Sequence, residues 1–311
     1  MNNRPLKRAK TLTDIKARWQ IYLLLVLPLA FIIIFAYIPM GGIVIAFKQY
    51  NFRQGIFGSP WVGLAHFTRF IESRRFTQVI GNTVILSLYG LLVSFPMPII
   101  FALFLNALPM DKYKKIIQTI TYIPHFFSTV IMVGLVFQLL NNRMGLWGSL
   151  AMILTGERPV DLLAVGRNFR HIYIWSGIWQ STGFGSILYF AALSRVDPEL
   201  HEAALVDGAT RFQRVLHVDI PTILPTASIL LILNVGGIMS IGFEKAYLMQ
   251  NALNIAYSEV ISTYVYRIGL ASGISNFSYG AAIGLFNSVI NFMLLILANW
   301  GSKKLSGSGI F

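Results

Sequence analysis

Six stretches of the chain lack any Asp, Glu, Lys or Arg, and each is long enough to cross a lipid bilayer. A helix needs about 20 predominantly apolar residues to span the hydrocarbon core. The charge-free windows hold 24 residues or more, and they are Trp19–Phe47, Phe76–Met110, Ile116–Asn142, His171–Ser194, Ile220–Phe243 and Ile268–Ser302. The sequence therefore predicts an all-α membrane protein with six transmembrane helices. Their expected bounds are 20–46, 79–107, 117–140, 171–193, 222–243 and 279–300.

The composition agrees with this architecture. Of the 311 residues, 55% are hydrophobic and 12% are charged, whereas soluble domains carry about 25% charged residues. The loops between the windows are too short for an independent module, so residues 1–311 are expected to form one membrane domain. The chain has no cysteine, and its five histidines are scattered without a ligand-like pair. Disulfides are therefore excluded, and no metal site is expected.

The distribution of positive charge predicts the orientation in the membrane. An even number of spans places both termini on one side, and cytoplasmic segments carry an excess of Lys and Arg. The predicted cytoplasmic segments 1–20, 108–117, 194–222 and 300–311 hold 14 of the 25 basic residues. The first window is too long for the apolar core of a secretory signal, so an uncleaved first span is expected. The net charge of +13 then serves orientation and attraction to anionic membrane lipid, and no nucleic-acid partner is expected.

The windows contain none of the charged groups that drive transport. Proton- and voltage-driven transporters generally carry ionisable residues at membrane depth. The chain also lacks the G-x-x-x-x-G-K-[ST] loop that cradles nucleotide phosphates. We expect no enzymatic activity from it. If the chain moves a solute uphill, the energy must come from another chain that contacts its cytoplasmic side.

The polar segment 195–221 interrupts the apolar pattern between the fourth and fifth windows. Asp197 is placed to cap a helix whose first residue is Pro198, and acids early in that helix favour its dipole. Gly208 is placed to end the helix in a left-handed conformation. The segment is therefore predicted to begin with a short, well-defined helix.

A second short helix is expected to follow. Thr210 is placed to cap it, His217 to end it, and Pro221 to open the next span. A plain connector needs only a handful of residues. The two capped helices therefore predict an elbow that serves as a docking surface.

This loop resembles the EAA loop of the permease subunits of binding-protein-dependent ABC importers. The family pattern is EAA, then DGA, then an apolar position, then Leu-Pro. The matching residues here are Glu202, Ala203, Ala204, Asp207, Gly208, Ala209, Val218, Ile220 and Pro221. The chain departs from the pattern at Val215, where an aromatic residue is usual, and at Ile220, which replaces leucine.

The resemblance implies a role for the loop and a set of partners. The EAA and DGA residues and Pro221 are expected to couple the chain to an ATPase subunit. The implied assembly has a second permease, expected to be a non-identical homologue, two ATPase subunits that use ATP and Mg, and an extracellular solute-binding protein. The implied location is a bacterial cytoplasmic membrane, with both termini in the cytoplasm.

Further motifs resemble the carbohydrate branch of these permeases. They are YIPMGGIVIAFKQYN at the end of the first span, YIPHF at 122–126, TYVYRIG at 263–269 and the Gly-Ile-Phe ending. An oligosaccharide or polysaccharide fragment is the expected substrate. An importer for amino acids, peptides or phosphate, and a self-sufficient secondary transporter, are the alternatives.

One face of the fourth span carries residues that suit a sugar path. Trp175, Trp179, Thr182, Ser186 and Tyr189 share this face at the helical step of 100° per residue. Indole rings stack on sugar C–H faces, and hydroxyls bond sugar oxygens. The same tryptophans also fit an interfacial belt, so both interpretations stay open.

Amide side chains in the last two spans are further candidates for the path. Asn287 and Asn291 share a face with Gly280 and Gly284, and Asn234 lies in the fifth span. Hydrogen bonding between helices is the alternative role of such residues.

Overall fold

The structure is a computed structural model that describes residues 17–271 and 276–306, with side chains except at 305 and 306. The basic segment 1–16, residues 272–275 and the Gly-Ile-Phe ending lie outside the described residues, and so do the expectations placed on them.

The described residues form helices, loops and one isolated antiparallel bridge between Lys48 and Trp61. The helices are α1 Trp19–Phe47, α2 Gly55–Gly58, α3 Ala65–Ile71, α4 Arg74–Ala107, α5 Asp111–Phe126, α6 Thr129–Leu140, α7 Leu146–Thr155, α8 Asn168–Leu193, α9 Pro198–Val206, α10 Arg211–Gly236, α11 Phe243–Met249, α12 Ile255–Ser258, α13 Ile261–Tyr266 and α14 Phe277–Ser306. The predicted all-α class is confirmed.

Among the described helices, α1, α4, α10 and α14 are each long and apolar enough to cross a membrane. Helices α5 and α6 satisfy the same condition only as a pair. Helix α8 has 26 residues, which is sufficient length at about 1.5 Å per residue, but its polar side chains keep it out of that set. Length and composition thus support four or five spans, and the sixth stays a prediction.

The third predicted span, 117–140, is not one straight helix. Helices α5 and α6 meet at 105°. Pro124 lies in the 3₁₀ turn that ends α5, and Ser128 caps α6 by accepting a hydrogen bond from the backbone N–H of Ile131 at 3.3 Å. A proline turn followed by a capping serine ends one helix and starts another.

The predicted start of the fifth span at Pro221 also needs correction. Helix α10 begins at Arg211, passes through a π-helical turn at Val215–Asp219 and continues to Gly236. Proline is tolerated beside such a turn because the regular i→i+4 bonding is already interrupted there. The second helix of the elbow is therefore the beginning of this long helix, which ends at Gly236 rather than at residue 243.

Helix α8 lies at the centre of the fold, against the second half of α4 and against α10. Its buried residues Phe169, Ile174 and Ile178 join Met132 of α6 in one apolar cluster. By contrast, no residue of the first 22 positions of α1, 19–40, is buried. An apolar helix with so little cover within its own chain is the kind of surface that lipid or another subunit occupies.

The loop that joins α11 to α14 contains a mostly buried stretch, residues 254–267, which we call the clamp segment. Its helices α12 and α13 contact α4. Glu259 is 1% exposed, and its carboxylate lies 2.5 Å from the Arg267 guanidinium and 3.8 Å from that of Arg75. The Asn82 side chain donates to the backbone carbonyl of Glu259 at 3.1 Å. Ion pairing and side-chain hydrogen bonds thus fasten the clamp segment to α4.

Candidate coupling surface and translocation path

The elbow, residues 195–221, begins as its sequence predicts. The Asp197 carboxylate accepts a hydrogen bond from the backbone N–H of Glu199 at 3.0 Å. Pro198 occupies the first helical position, where the backbone needs no amide donor. Glu199 lies in the first turn, where the helix dipole favours a negative charge.

Gly208 ends the first helix of the elbow in a left-handed conformation, with φ of +79°. The backbone N–H of Ala209 donates to the carbonyl of Ala204 at 2.9 Å, and that of Gly208 donates to the carbonyl of Leu205 at 3.1 Å. This pair of bonds is the Schellman arrangement, which satisfies carbonyls at a helix end. The predicted glycine cap is confirmed.

The next helix starts with a reciprocal cap. Thr210 accepts from the backbone N–H of Gln213 at 3.3 Å, and Gln213 accepts from the backbone N–H of Thr210 at 2.7 Å. Thr210 was predicted as a cap but Gln213 was not, although a Thr-x-x-Gln spacing is the known signature of this capping box. The turn between the two helices is thus fixed by hydrogen bonds on both sides.

The elbow exposes apolar side chains as well as charges. Helix α9 has no buried residue. Glu202, Ala203, Asp207 and Gly208 are exposed, whereas Ala204 and Ala209 are half-buried. The large apolar residues exposed here are Leu200, Leu205, Val206, Phe212 and Leu216. Apolar and charged groups together on a well-ordered turn are typical of a surface that another protein covers.

A polar contact joins the two helices of the elbow to each other and to the end of α4. His201 of α9 lies 3.3 Å from the carboxylate of Asp219 in the π turn of α10. Asp219 is 4% exposed, and Asn106 near the end of α4 donates to it at 3.5 Å. These residues border a cavity of about 550 Å³ that Glu202 also lines. This contact was not predicted, because it joins residues 18 positions apart across the turn.

The predicted aromatic face of α8 is divided in two by the structure. Trp175 and Trp179 are 51% and 48% exposed and line an apolar groove of about 340 Å³ together with Leu139 and Leu140 of α6. Ser186 is fully buried and donates its hydroxyl to the carbonyl of Gly183 at 2.6 Å. The tryptophans are therefore accessible, but the hydroxyl of Ser186 is occupied within its own helix.

The remaining members of that face also differ in exposure. Thr182 is half-buried, and Tyr189 is only 3% exposed. Towards the elbow, this face of α8 therefore turns into the chain's own core, where Tyr189 packs with Ala102 and Ile223.

The three predicted asparagines have different surroundings. Asn234 lines a cleft of about 450 Å³ between α4, α8 and α10, together with the hydroxyl-bearing residues Ser87, Ser94, Tyr173, Ser181, Tyr189 and Ser240. Asn291 accepts a hydrogen bond from the backbone N–H of Met239 at 2.9 Å and donates one to the hydroxyl of Ser240 at 2.8 Å. It therefore fixes the turn after α10. The side-chain oxygen of Asn287 is buried and has no hydrogen-bond partner among the described residues.

Comparisons with known proteins agree on one family. The model of the family described as binding-protein-dependent transport system inner membrane component matches residues 94–307. Protein LplB of Bacillus subtilis is 42% identical, over 94% of this chain and 91% of its own length. The polygalacturonan/rhamnogalacturonan transport system permease protein YteP of Bacillus subtilis is 40% identical, over 98% of this chain and 94% of its own.

A solved structure is similar over almost the whole chain. It is a chain of a bacterial ABC transporter involved in the import of the acidic polysaccharide alginate. It superposes with a TM-score of 0.87 at 38% sequence identity and covers 96% of this chain and 99% of its own length. The same transporter type has been solved in complex with an alginate pentasaccharide-bound periplasmic protein.

Proposed function

Because the chain belongs to the family of binding-protein-dependent transport system inner membrane components, we propose that it is the permease subunit of an ATP-driven sugar importer. Its substrate is an oligosaccharide or polysaccharide fragment. Relatives named for polygalacturonan/rhamnogalacturonan and arabinooligosaccharide transport, and the similar alginate importer, support this substrate class.

The proposed assembly contains several chains. This permease spans the membrane six times with both termini in the cytoplasm, and it pairs with a second, non-identical permease. Two ATPase subunits bind the cytoplasmic side and use ATP and Mg there. An extracellular solute-binding protein delivers the sugar from the opposite side, as the complex with a periplasmic protein suggests by analogy.

The observation that carries this function is the elbow. Its turn is fixed by the caps of Asp197, Gly208 and Thr210, yet its apolar residues stay exposed. The contact between His201 and Asp219 connects α9, the first helix of the elbow, to the π-helical turn of α10. A movement of the ATPase subunits would thus be passed to α10 through a structured lever rather than through a flexible loop.

Sugar passage in this scheme follows alternating access. The 450 Å³ cleft that Asn234 lines has hydroxyl groups and apolar walls, a mixture that is typical of small-molecule sites. Trp175 and Trp179 lie nearer the N-terminal end of α8, where their rings are available to an arriving sugar. The chain performs no covalent chemistry in this role.

Purification of the chain from its native membrane tests the assembly. We expect mass spectrometry to identify a second permease and an ATPase, and the reconstituted complex to take up an oligosaccharide only with ATP and the binding protein. Uptake by this chain alone in vesicles, driven by an ion gradient, would contradict the proposed function. ATP-dependent uptake of an amino acid or phosphate but of no sugar would contradict the substrate class.

A further inference from the structure

A further pocket lies at the end of α8 that is far from the elbow. It has a volume of about 340 Å³ and is lined by Ile85, Tyr89, Arg167, Arg170, His171 and Tyr257. It adjoins the apolar groove lined by Trp175 and Trp179, which we call the tryptophan groove, because His171 lines both. We call it the cationic pocket.

The two arginines of the cationic pocket have no carboxylate partner among the described residues. Among the described residues, the basic partners in ion pairs are Arg75, Lys114, His201 and Arg267. No acidic residue lines the pocket. Arg167 is exposed. Arg170 donates to the neutral side-chain oxygen of Asn82 at 2.8 Å, and its Nε atom is buried without a hydrogen-bond partner. A partly buried guanidinium without a counter-charge favours an anionic ligand.

The rings of the cationic pocket are held in place. The Tyr89 hydroxyl lies 3.0 Å from Nδ1 of His171 and accepts from Nε1 of Trp175 at 3.1 Å. On the other wall, a Cβ atom at Gly166 would lie 2.6 Å from the Tyr257 ring. Only glycine therefore lets this ring lie against the backbone, where Arg170 covers it at 5.6 Å.

We propose that the cationic pocket binds a uronic acid unit of the transported sugar. The arginines pair with the carboxylate, and the tyrosine rings stack on the face of the sugar. The adjoining tryptophan groove binds a neighbouring sugar unit. We make this inference on the premise that the chain is a sugar importer, and it adds the charge of the substrate to that function.

The shape of the pocket favours a sugar over an acidic protein surface. Its volume is at the low end of the range of about 300–1,000 Å³ for small-molecule sites. A protein partner needs about 800 Å² of surface on each side. A concave site of this size bordered by rings is better matched to one pyranose unit.

The test measures binding of two probes to the purified complex of permeases and ATPases by equilibrium dialysis. The probes are trigalacturonate and the neutral trisaccharide made from it by carboxyl reduction. We expect trigalacturonate to bind about tenfold more tightly, the difference expected from one or two charge-assisted hydrogen bonds. Equal affinity for the two probes, or no binding of trigalacturonate, overturns the proposal.

Variants of the two arginines test whether the preference for the acidic over the neutral trisaccharide arises in the cationic pocket. Arg167→Gln should lower the acidic-to-neutral preference several-fold without loss of assembly, because this side chain is exposed. Arg167→Lys keeps the charge and should retain most of the preference. Arg143→Gln, a control with the same change of charge at another exposed position, should leave it unchanged. A preference that survives in Arg167→Gln and in Arg170→Gln overturns the proposal.

Two results separate this inference from the proposed function. If the full transporter imports a neutral oligosaccharide with ATP and prefers no acidic one, the importer stands and the cationic pocket does not bind a uronate. If the Arg167→Gln change weakens only the binding of the ligand-free solute-binding protein, the pocket is a protein-docking site, and the proposal is likewise overturned.

Discussion

The elbow and the clamp segment are both short helical connections between longer helices, but the chain covers them to very different extents. In the clamp segment, Ser258, Glu259 and Val260 are at most 1% exposed, and side chains from outside the segment, those of Arg75, Asn82 and Gln250, contact its polar groups. In the elbow, Val206 is 88% exposed, and the backbone groups are satisfied locally by caps. The clamp segment is thus largely covered by its own chain, whereas much of the elbow is not.

This difference indicates which surface is made for a partner. A connection that exists only to join helices gains stability by burial, as the clamp segment does. The elbow instead keeps a defined turn while leaving its apolar groups in solvent, which costs stability unless another protein covers them. The following predictions are ordered by their expected cost to the fold of the chain itself.

The largest effect is expected at Glu259. Glu259→Gln removes the charge that faces Arg267 and Arg75 and should destabilise the chain by about 2 kcal/mol. This is below the usual cost of breaking a buried pair, because both arginines are partly solvated. The thermal unfolding midpoint in detergent measures it. Glu244→Gln, at an exposed position, is the control, and equal midpoints for the two variants would contradict the role of the clamp segment.

A pH-dependent effect is expected at Lys245, in α11 just before the clamp segment. Its ammonium donates to the carbonyl of Tyr173 at 2.8 Å, and burial lowers the pKa of Lys245 to about 8. Since the folded pKa lies below the unfolded value of 10.5, protonated Lys245 costs stability below pH 8. That cost disappears as the pH rises from about 8 to 10.5.

Comparison with Lys245→Met isolates this contribution. Relative to the variant, the wild type should gain stability between pH 7 and pH 10, as measured by denaturant unfolding in detergent. A stability difference that stays constant over this range would show that Lys245 is not sufficiently buried to be perturbed.

Two glycines allow the role of the elbow to be separated from simple strain. Gly208 and Gly156 both end helices with positive φ, at +79° and +74°, and a Cβ at either position has open space. Valine at each should cost about 1 kcal/mol or more through backbone strain alone. Gly208→Val should also lower transport and transport-coupled ATP hydrolysis, whereas Gly156→Val should not. Equal activity per assembled complex in the two variants would contradict a coupling role for the elbow turn.

The smallest effect on the fold is expected at Glu202. It is exposed on the elbow, so Glu202→Lys should leave thermal unfolding unchanged. We expect Glu202 to pair with a basic residue of the ATPase, so the variant should retain less ATPase on co-purification. The loss should grow as salt is lowered, because like charges are then less screened. Glu157→Lys, at an exposed position after α7, is the control. If Glu202→Lys and Glu157→Lys recover equal amounts of the ATPase at every salt concentration, Glu202 does not contact the ATPase.

Local chemistry explains what could be predicted from the sequence. The cap at Asp197, the stop at Gly208 and the cap at Thr210 each depend on residues within a few positions, and all three are confirmed. The apolar windows predicted the helices because six long uncharged stretches have few other structures available to them.

The missed features depend on contacts or on breaks that hydrophobicity does not report. The bend between α5 and α6 follows from Pro124 and Ser128, which are uncharged and so left the window intact. The burial of Ser186 depends on which side of α8 packs against the neighbouring helices. The His201–Asp219 contact and the clamp of Glu259 join residues whose proximity only the folded chain provides.

Cysteine labelling tests most directly whether the elbow is exposed in order to receive an ATPase. The chain has no native cysteine, so Val206→Cys on the elbow and Phe57→Cys at a distant position can each be labelled alone. Their native side chains are 88% and 96% exposed. In the permease pair without ATPase, both should react with a maleimide at similar rates. Adding the ATPase subunits should slow the reaction at position 206 by about tenfold or more and leave position 57 unchanged, whereas an unchanged rate at position 206 would contradict the account.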